Sequence, residues 1–475
     1  MQDKLAGWLK DIDKSQLLGR FKVWCLQFGI IPRLQWPFLL YDFPMTQVEE
    51  MERLCSKYLK KWLGVSPSFS SVNLYSRTSK LTLPVGSVVE EFKATKTRAV
   101  STLQNSKDEK VKHASKGIKG SRKWNPQEAV QNAEEHLRHQ EIVGLVCQGR
   151  LGLGHYQSKQ WSRADTSEKR DLVVHRVRDA EEESRRVKAV GLSKQGAWTK
   201  WDQAMDRKLS WKELWVMDQD KLRFLLRAVT DLLPTPSNLK IWGKAEEGAC
   251  KLCALSACTL NHILTGCPRA LAEGRYTWRH DKVLTVLARW VDQERLKANR
   301  KELAPQQKIQ FVKEGDCLPS KAPGNSRTAT VLHKATDWEL LVDLQKKLVF
   351  PEDVAVTSLR PDMVLLSRGT KNIFIVELTV PWEERLDVAH QLKRNKYQDL
   401  TDEVSLKGWH AVLFPVEVGC RGFPASSVRY FLQKLGLPPK EVKKATKEIG
   451  GVAESSSRWL WLKRGCAWGP SAGEG

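Results

Sequence analysis

A stretch of 18 residues contains four cysteines and one histidine, and four of these five have the spacing C-x2-C-x8-H-x4-C; they are Cys250, Cys253, His262 and Cys267. A C-x2-C turn lets two thiolates face one zinc ion, and four protein ligands leave no position open for water. Thr259 is placed to cap a short helix that carries His262, and Gly266 to end it. The sequence therefore predicts a structural zinc site. Unliganded thiols are the alternative, and Cys258 either replaces a ligand or stays a packed thiol.

Two acidic residues, Asp362 and Glu377, lie in apolar runs that read as the strands of a hairpin. If a type II′ turn is centred between Gly369 and Thr370, Asp362 lies opposite Glu377. Directly opposed residues have Cβ atoms about 4.5–5.5 Å apart. Two carboxylates so placed repel each other unless a cation bridges them, which predicts a magnesium site suited to phosphodiester hydrolysis. In the alternative, Asp362 is solvated at a strand end and Glu377 is an edge charge.

The helix predicted next, over residues 381–400, places Lys393 and Lys396 one turn apart on the same side. Its inner stripe is predicted to comprise Leu386, Ala389, Leu392, Tyr397 and Leu400. A lysine at the edge of such a stripe could position the attacking water or steady a phosphate. In the alternative, both lysines are solvated charges of a basic protein.

The elements that position these residues change character along the chain. Residues 1–103 and 127–233 have helical periodicity, and Gly64 is placed to end one of the helices. Another helix is predicted over 278–296 and a further one over 336–348. Short β-branched runs at 354–366, 373–380 and 411–418 then alternate with helices at 381–400 and 425–435, which is typical of an α/β domain. The predicted fold class is therefore multidomain α plus α/β.

The predicted divisions follow from these patterns. They are a helical region (1–103), a basic linker (104–126), a helical linker domain (127–240), the cysteine–histidine segment with its following helix (241–298), a flexible linker (299–327), an α/β domain (328–449) and a Gly/Ser-rich tail (450–475).

The chain has 78 Lys and Arg against 55 Asp and Glu, a net charge of +23, which favours a nucleic-acid partner. No apolar run reaches the roughly 18 residues of a membrane span, so we expect a soluble intracellular protein without a membrane partner. Many of the 19 tryptophans adjoin cations, and they either pack between helices or stack on bases. One basic segment is predicted to bind nucleic acid through Lys107, Lys110, Lys112, Lys116, Lys119, Arg122 and Lys123.

The run Arg360-Pro361-Asp362, followed after fourteen residues by Glu377, resembles the restriction-like endonuclease of site-specific non-LTR retrotransposons, a variant of the PD-(D/E)xK nuclease fold. The resemblance implies DNA nicking with Mg²⁺ held by Asp362 and Glu377. Thr379 stands where the motif usually has its lysine, so a helical lysine is expected to replace it. The further catalytic residues implied are Lys393, Lys396 and Tyr397, with the choice between the lysines open.

The resemblance extends over most of the chain. The cysteine–histidine set is similar to the zinc knuckle that precedes this nuclease, and Arg279-His280-Asp281 is similar to a motif that follows the knuckle. Nucleic-acid contacts are therefore expected from Arg279, His280 and Arg360. Residues 24–34 resemble the start of the same family's reverse-transcriptase thumb, while no Tyr/Phe-x-Asp-Asp polymerase motif occurs.

Together these similarities imply the C-terminal part of a nuclear retrotransposon protein. It would nick double-stranded target DNA and leave a 3′-hydroxyl that a reverse transcriptase extends along the element RNA. Target DNA, element RNA and the upstream reverse-transcriptase half are the implied partners, with Zn²⁺ structural and Mg²⁺ catalytic. Two other hypotheses remain: a non-catalytic, zinc-dependent DNA- or RNA-binding module, and a helical scaffold that docks a separate polymerase.

Overall fold

A computed structural model describes residues 1–115, 117–148, 161–300, 330–344 and 347–469. These residues are mostly helical, with one small mixed sheet, which confirms the class multidomain α plus α/β. The chain forms two compact units, Met1–Thr199 with Asp206–Leu232, and Lys200–Met205 with Leu233–Gly475. None of the described helices is both long and apolar enough to cross a membrane. The predicted linker at 299–327 lies, beyond Arg300, outside the described residues.

The first unit consists mainly of helices. They are α1 (Gln2–Lys14), α2 (Gly19–Cys25), α3 (Ile31–Leu40), α4 (Met45–Leu63), α5 (Val72–Tyr75), α6 (Val88–Gln104), α7 (Glu109–Ser115), α8 (Pro126–Gln148), α9 (Thr166–Gly191), α10 (Trp211–Val216) and α11 (Gln219–Val229). Two short parallel strands, β1 (Leu81–Thr82) and β2 (Arg207–Lys208), complete it. Helix α4 ends at Gly64, whose φ of 70° is left-handed, as the sequence predicts.

Two predictions in this unit need correction. The segment read as a basic linker contains helix α7, which carries Lys110 and Lys112. The last part of the helical region predicted over 127–233 carries an apolar stripe across residues 211–233, but it forms two helices, α10 and α11. The Asp218 carboxylate accepts hydrogen bonds from the backbone amides of Asp220 and Lys221 and starts α11 anew.

The second unit combines a five-stranded sheet with helices on both faces. Its elements are α12 (Pro236–Ile241), α13 (Pro268–Ala272), α14 (Arg275–Asn299), β3 (Glu339–Val342), β4 (Met363–Ser367), β5 (Asn372–Thr379), α15 (Leu386–Leu406), β6 (His410–Gly419), β7 (Phe423–Pro424), α16 (Ser426–Leu435) and α17 (Pro439–Leu462). The strand order is β3-β4-β5-β6-β7, with β5 and β6 parallel and the other neighbours antiparallel.

Alternation along the strands sorts the sheet residues into two layers. Val364 and Ile375 pack with Tyr397 of α15 on one face. Met363 and Val376 face the opposite core, which α14, α16 and α17 complete. The cysteine–histidine segment, α14 and the α/β residues therefore belong to one compact unit, although the sequence suggested separate domains at 241–298 and 328–449. The reason is that α14 supplies apolar side chains such as Leu284 and Leu287 to the core of the sheet.

The predicted register of β4 and β5 is confirmed, since Val364 pairs with Ile375 and Met363 with Val376. The predicted type II′ turn is wrong. The loop spans residues 368–371, and its left-handed residue is Lys371, with φ of 48°. The Asp337 carboxylate accepts hydrogen bonds from Gly369 N and Ser367 Oγ, at 2.7 and 2.5 Å, and holds this wider loop.

Within the range 336–348, where the sequence predicts a helix, the structure has strand β3, which pairs with β4. The buried Trp338 ahead of it stacks on Phe374 of β5, with ring centroids 5.3 Å apart, so long-range packing outweighs the local helical period. Similarly, the run at 354–366 forms a strand only from Met363 onwards.

Helix α15 begins at Leu386, after a 3₁₀ turn at Glu383–Arg385, and Leu392 is exposed rather than part of its inner stripe.

The predicted tail at 450–475 is helical as far as Leu462, where α17 ends. Gly450 in this segment serves close packing rather than flexibility. A Cβ atom at Gly450 would lie 2.8 Å from Gly422 O and 3.0 Å from Pro424 Cδ. Residues 470–475 lie outside the described part of the chain.

The second unit also includes residues Lys200–Met205, which precede part of the first unit in the chain. Met205 N donates a 2.9 Å hydrogen bond to Pro424 O, and Ala204 forms a β-bridge with Ala425. Trp201 is fully buried. The Arg421 guanidinium lies 4.1 Å from the Trp201 ring centroid and 3.6 Å from that of Trp382.

Candidate metal centre and candidate active site

The four predicted zinc ligands converge. One ligand atom from each of Cys250, Cys253, His262 and Cys267 lies within 4.8 Å of all the others. Cys253 Sγ and His262 Nε2 are 3.4 Å apart. Zn–S bonds of about 2.3 Å in a tetrahedron imply sulfur–sulfur separations of about 3.8 Å, so the cluster fits zinc after small adjustments. This Cys₃His group could hold a metal ion such as zinc.

Local backbone geometry explains the convergence. Ala254, directly after the C-x2-C turn, has a left-handed φ of 57°, and its amide donates to Cys250 O at 2.9 Å. Thr259 Oγ1 accepts from His262 N at 3.2 Å, which confirms the predicted cap. The turn that it caps, His262–Gly266, is π-helical, and Cys267 follows in an extended conformation.

The thiols of the cluster differ in their acidity. Burial disfavours the Cys250 thiolate, but backbone amides of Cys253 and Leu252 and the His262 side chain outweigh it and lower the pKa of Cys250 to about 6. Burial and the neighbouring Cys250 raise the pKa of Cys258 to about 12. Cys258 lies outside the four converging ligands. Of the two alternatives given by the sequence, this position agrees with a packed thiol and not with a ligand.

The two predicted acids meet at one end of the sheet. Asp362 directly precedes β4 and Glu377 lies in β5, both in phase with the residues that face α15. Asp362 N donates to Glu377 Oε2 at 3.2 Å, and Leu378 N donates to Asp362 Oδ2 at 2.6 Å. Each carboxylate thus accepts a hydrogen bond from the backbone of the neighbouring strand segment, and both lie at the same end of the sheet.

The like charges of these two carboxylates favour the binding of a cation. The Glu377 side chain is only 3% exposed. Burial and the adjacent Asp362 raise the pKa of Glu377, while Lys393 opposes the shift. Lys393 Nζ donates to Glu377 Oε1. Carboxylate oxygens at a buried, like-charged position are suitable ligands for Mg²⁺, so the residues present fit the ion.

The structure separates the two candidate lysines by their contacts. Lys393 lies directly against Glu377, whereas Lys396 Nζ is 3.1 Å from Tyr397 Oη and lies over the Tyr397 ring. The Tyr397 hydroxyl donates to Arg360 O at 2.9 Å, and burial raises its pKa. Tyr397 therefore fixes the backbone ahead of Asp362, while the exposed Arg360 side chain lies at the same end of the sheet.

Arg279 and His280 are placed differently from the prediction that they contact nucleic acid. Arg279 is buried and donates to Leu264 O at 2.9 Å, to Ser457 Oγ and to Val380 O. It is therefore occupied within the fold. His280 Nε2 lies 3.3 Å from Asp362 Oδ2, which brings it into the acidic site.

The charge state of His280 follows from its neighbours. Nε2 also lies 3.2 Å from Leu378 O, and Nδ1 lies 3.1 Å from Asp281 Oδ1. All of these partners are acceptors, so both ring nitrogens carry protons. Burial lowers the pKa of His280, but hydrogen bonds to Asp281 and Asp362 outweigh it and raise the value to about 10.

A cavity with a volume of about 360 Å³ lies beside Asp362. Two acids that the sequence did not single out as site residues line it. They are Asp281 and Asp343, and His280, Asp362 and Lys393 also line it. Asp343 N donates to Asp362 O at 2.8 Å. No local signal could reveal this proximity, because it depends on the pairing of β3 with β4. A larger cavity of about 790 Å³, between α15, β6 and α16, is lined by neither Asp362 nor Glu377.

The residues of the predicted basic segment remain near the surface of the first unit. The exposed ones are Lys107, Lys110, Lys119, Arg122 and Lys123. Lys112 pairs with Glu109 at 2.7 Å and Lys123 with Glu49 at 2.8 Å. Lys116 lies outside the described residues. The segment therefore carries charge at the surface, part of it already paired with acids.

No protein-family model matches the chain, and no curated protein matches it either.

Proposed function

We propose that this chain is a metal-dependent endonuclease that nicks double-stranded DNA. It would be the C-terminal part of a nuclear non-LTR retrotransposon protein, and its nick would prime reverse transcription of the element RNA. The nuclease domain would be of the restriction-endonuclease-like kind. The observation that carries the proposal is the hydrogen-bonded pair Asp362 and Glu377, with Lys393 against Glu377.

The side chains have distinct roles in this proposal. Asp362 and Glu377 would hold Mg²⁺, which when bound supplies charge stabilisation and lowers the pKa of a bound water. Lys393 would orient the attacking water or stabilise the charge that develops on the phosphate. Tyr397 keeps Arg360 and Asp362 in place through its bond to the backbone.

The remaining features would stabilise the fold and bind nucleic acid. The zinc cluster is a structural site, because its four ligands leave no position open for substrate. The basic segment of the first unit and the net charge of +23 would bind DNA or RNA through phosphates. The proposed upstream reverse transcriptase would then use the 3′-hydroxyl at the nick.

Nicking of supercoiled plasmid in Mg²⁺ tests the proposal. We expect the isosteric variants Asp362→Asn and Glu377→Gln to lose at least about 10²-fold in rate, because each removes a ligand charge. Asp353→Asn is the matched control, since Asp353 is an exposed acid that pairs with Arg368 of the hairpin loop. Equal nicking by the wild type and both site variants would contradict the assignment.

A second candidate function is a non-catalytic module that binds nucleic acid. One observation favours it: Glu377 and Asp362 already have cationic partners from the chain itself, Lys393 and His280. In that case the zinc-loaded wild type binds DNA without added Mg²⁺, and added Mg²⁺ produces no nicking. The site variants would then change only the free energy of unfolding.

A further inference from the structure

We propose that His280 is a positioning residue that orients the Asp362 carboxylate toward a divalent cation. This inference rests on the proposed function, because it deepens the role of the same site. It replaces the expectation that His280 contacts nucleic acid.

The contacts of Asp362 show what His280 does. Among the described residues, His280 Nε2 and Leu378 N both reach Oδ2 of Asp362. The donors of the protein thus converge on one carboxylate oxygen and leave Oδ1 for the cation. A donor on one oxygen of a ligating carboxylate limits its rotation, which is how outer residues orient metal ligands.

The imidazole is itself held on both sides. Asp281 Oδ1 accepts from Nδ1, and Leu378 O accepts from Nε2. With three acceptors around two ring nitrogens, the ring plane is fixed relative to β5 and α14. His280 therefore transmits the position of α14 to Asp362, which lies 82 residues further along the chain.

Helix α14 is anchored at the same point. The neighbouring Arg279 donates to Leu264 O of the π-helical turn, to Ser457 Oγ of α17 and to Val380 O after β5. One turn earlier, the Tyr276 hydroxyl accepts from Cys267 N and donates to carbonyls of the turn, Ile263 O at 3.0 Å. The metal cluster thus fixes the helix that carries His280.

The experiment measures metal binding separately from cleavage. Mn²⁺ is titrated calorimetrically into the zinc-loaded full chain without DNA, and the heat that Asp362→Asn removes defines the site. The variants are His280→Ala and His280→Gln, whose amide can donate from a similar position to Nε2. His333→Ala is the matched control, because His333 is exposed and, among the described residues, bonds within its own turn, to Thr330 O.

We expect His280→Ala to weaken Mn²⁺ binding about 10- to 100-fold, the usual effect of losing an outer partner of a ligand. His280→Gln should restore affinity to within a few-fold, and His333→Ala should match the wild type. The DNA affinity of the zinc-loaded chain, measured without added Mn²⁺ or Mg²⁺, should be unchanged in all three. Restoration by glutamine separates positioning from a general loss of folding.

Several results would overturn the proposal. One is Mn²⁺ binding by His280→Ala at wild-type affinity. Another is a loss of DNA affinity without added Mn²⁺ or Mg²⁺, together with normal Mn²⁺ binding, which would make His280 a nucleic-acid contact. Equal losses in the alanine and glutamine variants, or a wild type without Asp362-dependent Mn²⁺ binding, would also exclude positioning. If the wild type binds Mn²⁺ through Asp362 but does not nick DNA, the proposed function fails and the positioning role stands.

Discussion

Two buried glutamates show how neighbours decide the state of a carboxylate. Glu377 has an acid beside it, and burial and Asp362 raise its pKa. Glu182, in α9, is also buried, and burial alone would raise its pKa. Ser76 Oγ and Thr78 Oγ1 donate to it at 2.5 and 2.7 Å, and backbone amides of Arg77 and Thr78 add two more hydrogen bonds. These donors outweigh burial and lower the pKa of Glu182 to about 2.

The first prediction concerns the stability that Glu182 provides. Its pKa is lowered in the folded chain, so the contribution is complete above pH 4.5 and is lost as the pH falls toward 2. At about 1.4 kcal/mol per pKa unit, Glu182→Gln should cost roughly 3 kcal/mol in the free energy of unfolding at pH 7 and less than half of that at pH 3. Urea denaturation at both pH values measures it. The exposed Glu135→Gln is the control, and a cost that does not vary with pH would contradict the prediction.

The second prediction separates the two lysines of α15. Lys393→Ala should reduce the nicking rate at least about 10²-fold, because Lys393 contacts Glu377 directly. Lys396→Ala should cost less than about tenfold, since Lys396 contacts Tyr397 instead. Lys407→Ala, directly after the same helix and paired with the exposed Glu403, is the control. A larger loss in Lys396→Ala than in Lys393→Ala would assign the role to Lys396.

At the scale of elements, α17 shows that adjacent glycines can have opposite roles. Gly450 lies against the backbone at Gly422 and the ring of Pro424, whereas a Cβ atom at Gly451 would meet nothing within 4 Å. Glycine weakens a helix interior wherever it is not needed. The pair therefore offers an internal comparison of close packing against helix propensity.

The third prediction follows from that comparison. Gly451→Ala should raise the free energy of unfolding by up to about 1 kcal/mol through helix propensity. Gly450→Ala should lower it by about 1–3 kcal/mol, because the new methyl overpacks against backbone atoms that cannot move aside. Thermal melting of the two variants measures the difference. Equal effects at the two positions would show that α17 does not pack tightly at Gly450.

The fourth prediction concerns the metal cluster. Cys253→Ser should abolish stoichiometric zinc and unfold residues around α12 and α13, because structural zinc contributes to folding free energy. Cys258→Ser should retain one zinc per chain, since Cys258 lies outside the converging set. Zinc content by metal analysis, with hydrogen exchange of Cys250–Cys267, measures both. Loss of zinc in Cys258→Ser would make Cys258 a ligand.

Some of these elements were predictable from the sequence, and others were not. The β4–β5 register follows from alternation and a short loop, and the zinc ligands from spacing, because both signals are local. The sequence around β3 has a helical period, and its residues form a strand because they pair with β4. The contact of His280 with Asp362 depends on how α14 packs on the sheet. The glycines and serines of α17 have the composition of a tail, yet Ser457 is fully buried and bonded to Cys420 O.

At the scale of the whole molecule, the charge of +23 has two kinds of contributor. Some cations, such as Lys61 with Asp13 and Lys123 with Glu49, are paired with acids. Others, such as Lys107, Lys110 and Lys119, are exposed in the basic segment. Paired lysines exchange one partner for another on binding DNA, so they should contribute less to affinity than lysines without such pairs.

The fifth prediction uses this difference. The DNA affinity of the zinc-loaded chain, measured without added Mg²⁺, should fall linearly on a plot of log affinity against log salt concentration. Changing Lys107, Lys110 and Lys119 together to alanine should reduce the slope by up to about three. The control changes Lys61, Lys112 and Lys123, which removes the same charge from paired positions and should have a smaller effect. Equal slopes in the two triple variants would indicate that only net charge matters.

The course of the chain through its two units restricts how they can be exchanged between genes. The chain contributes Trp201 and its neighbours to the second unit before residues Asp206–Leu232 return to the first. A recombination junction at Leu233 would thus transfer a sheet without the indole that lies against Arg421. For the second unit to be inherited complete, the junction must lie upstream of Lys200. Residues Asp206–Leu232 of the first unit would then be transferred together with it.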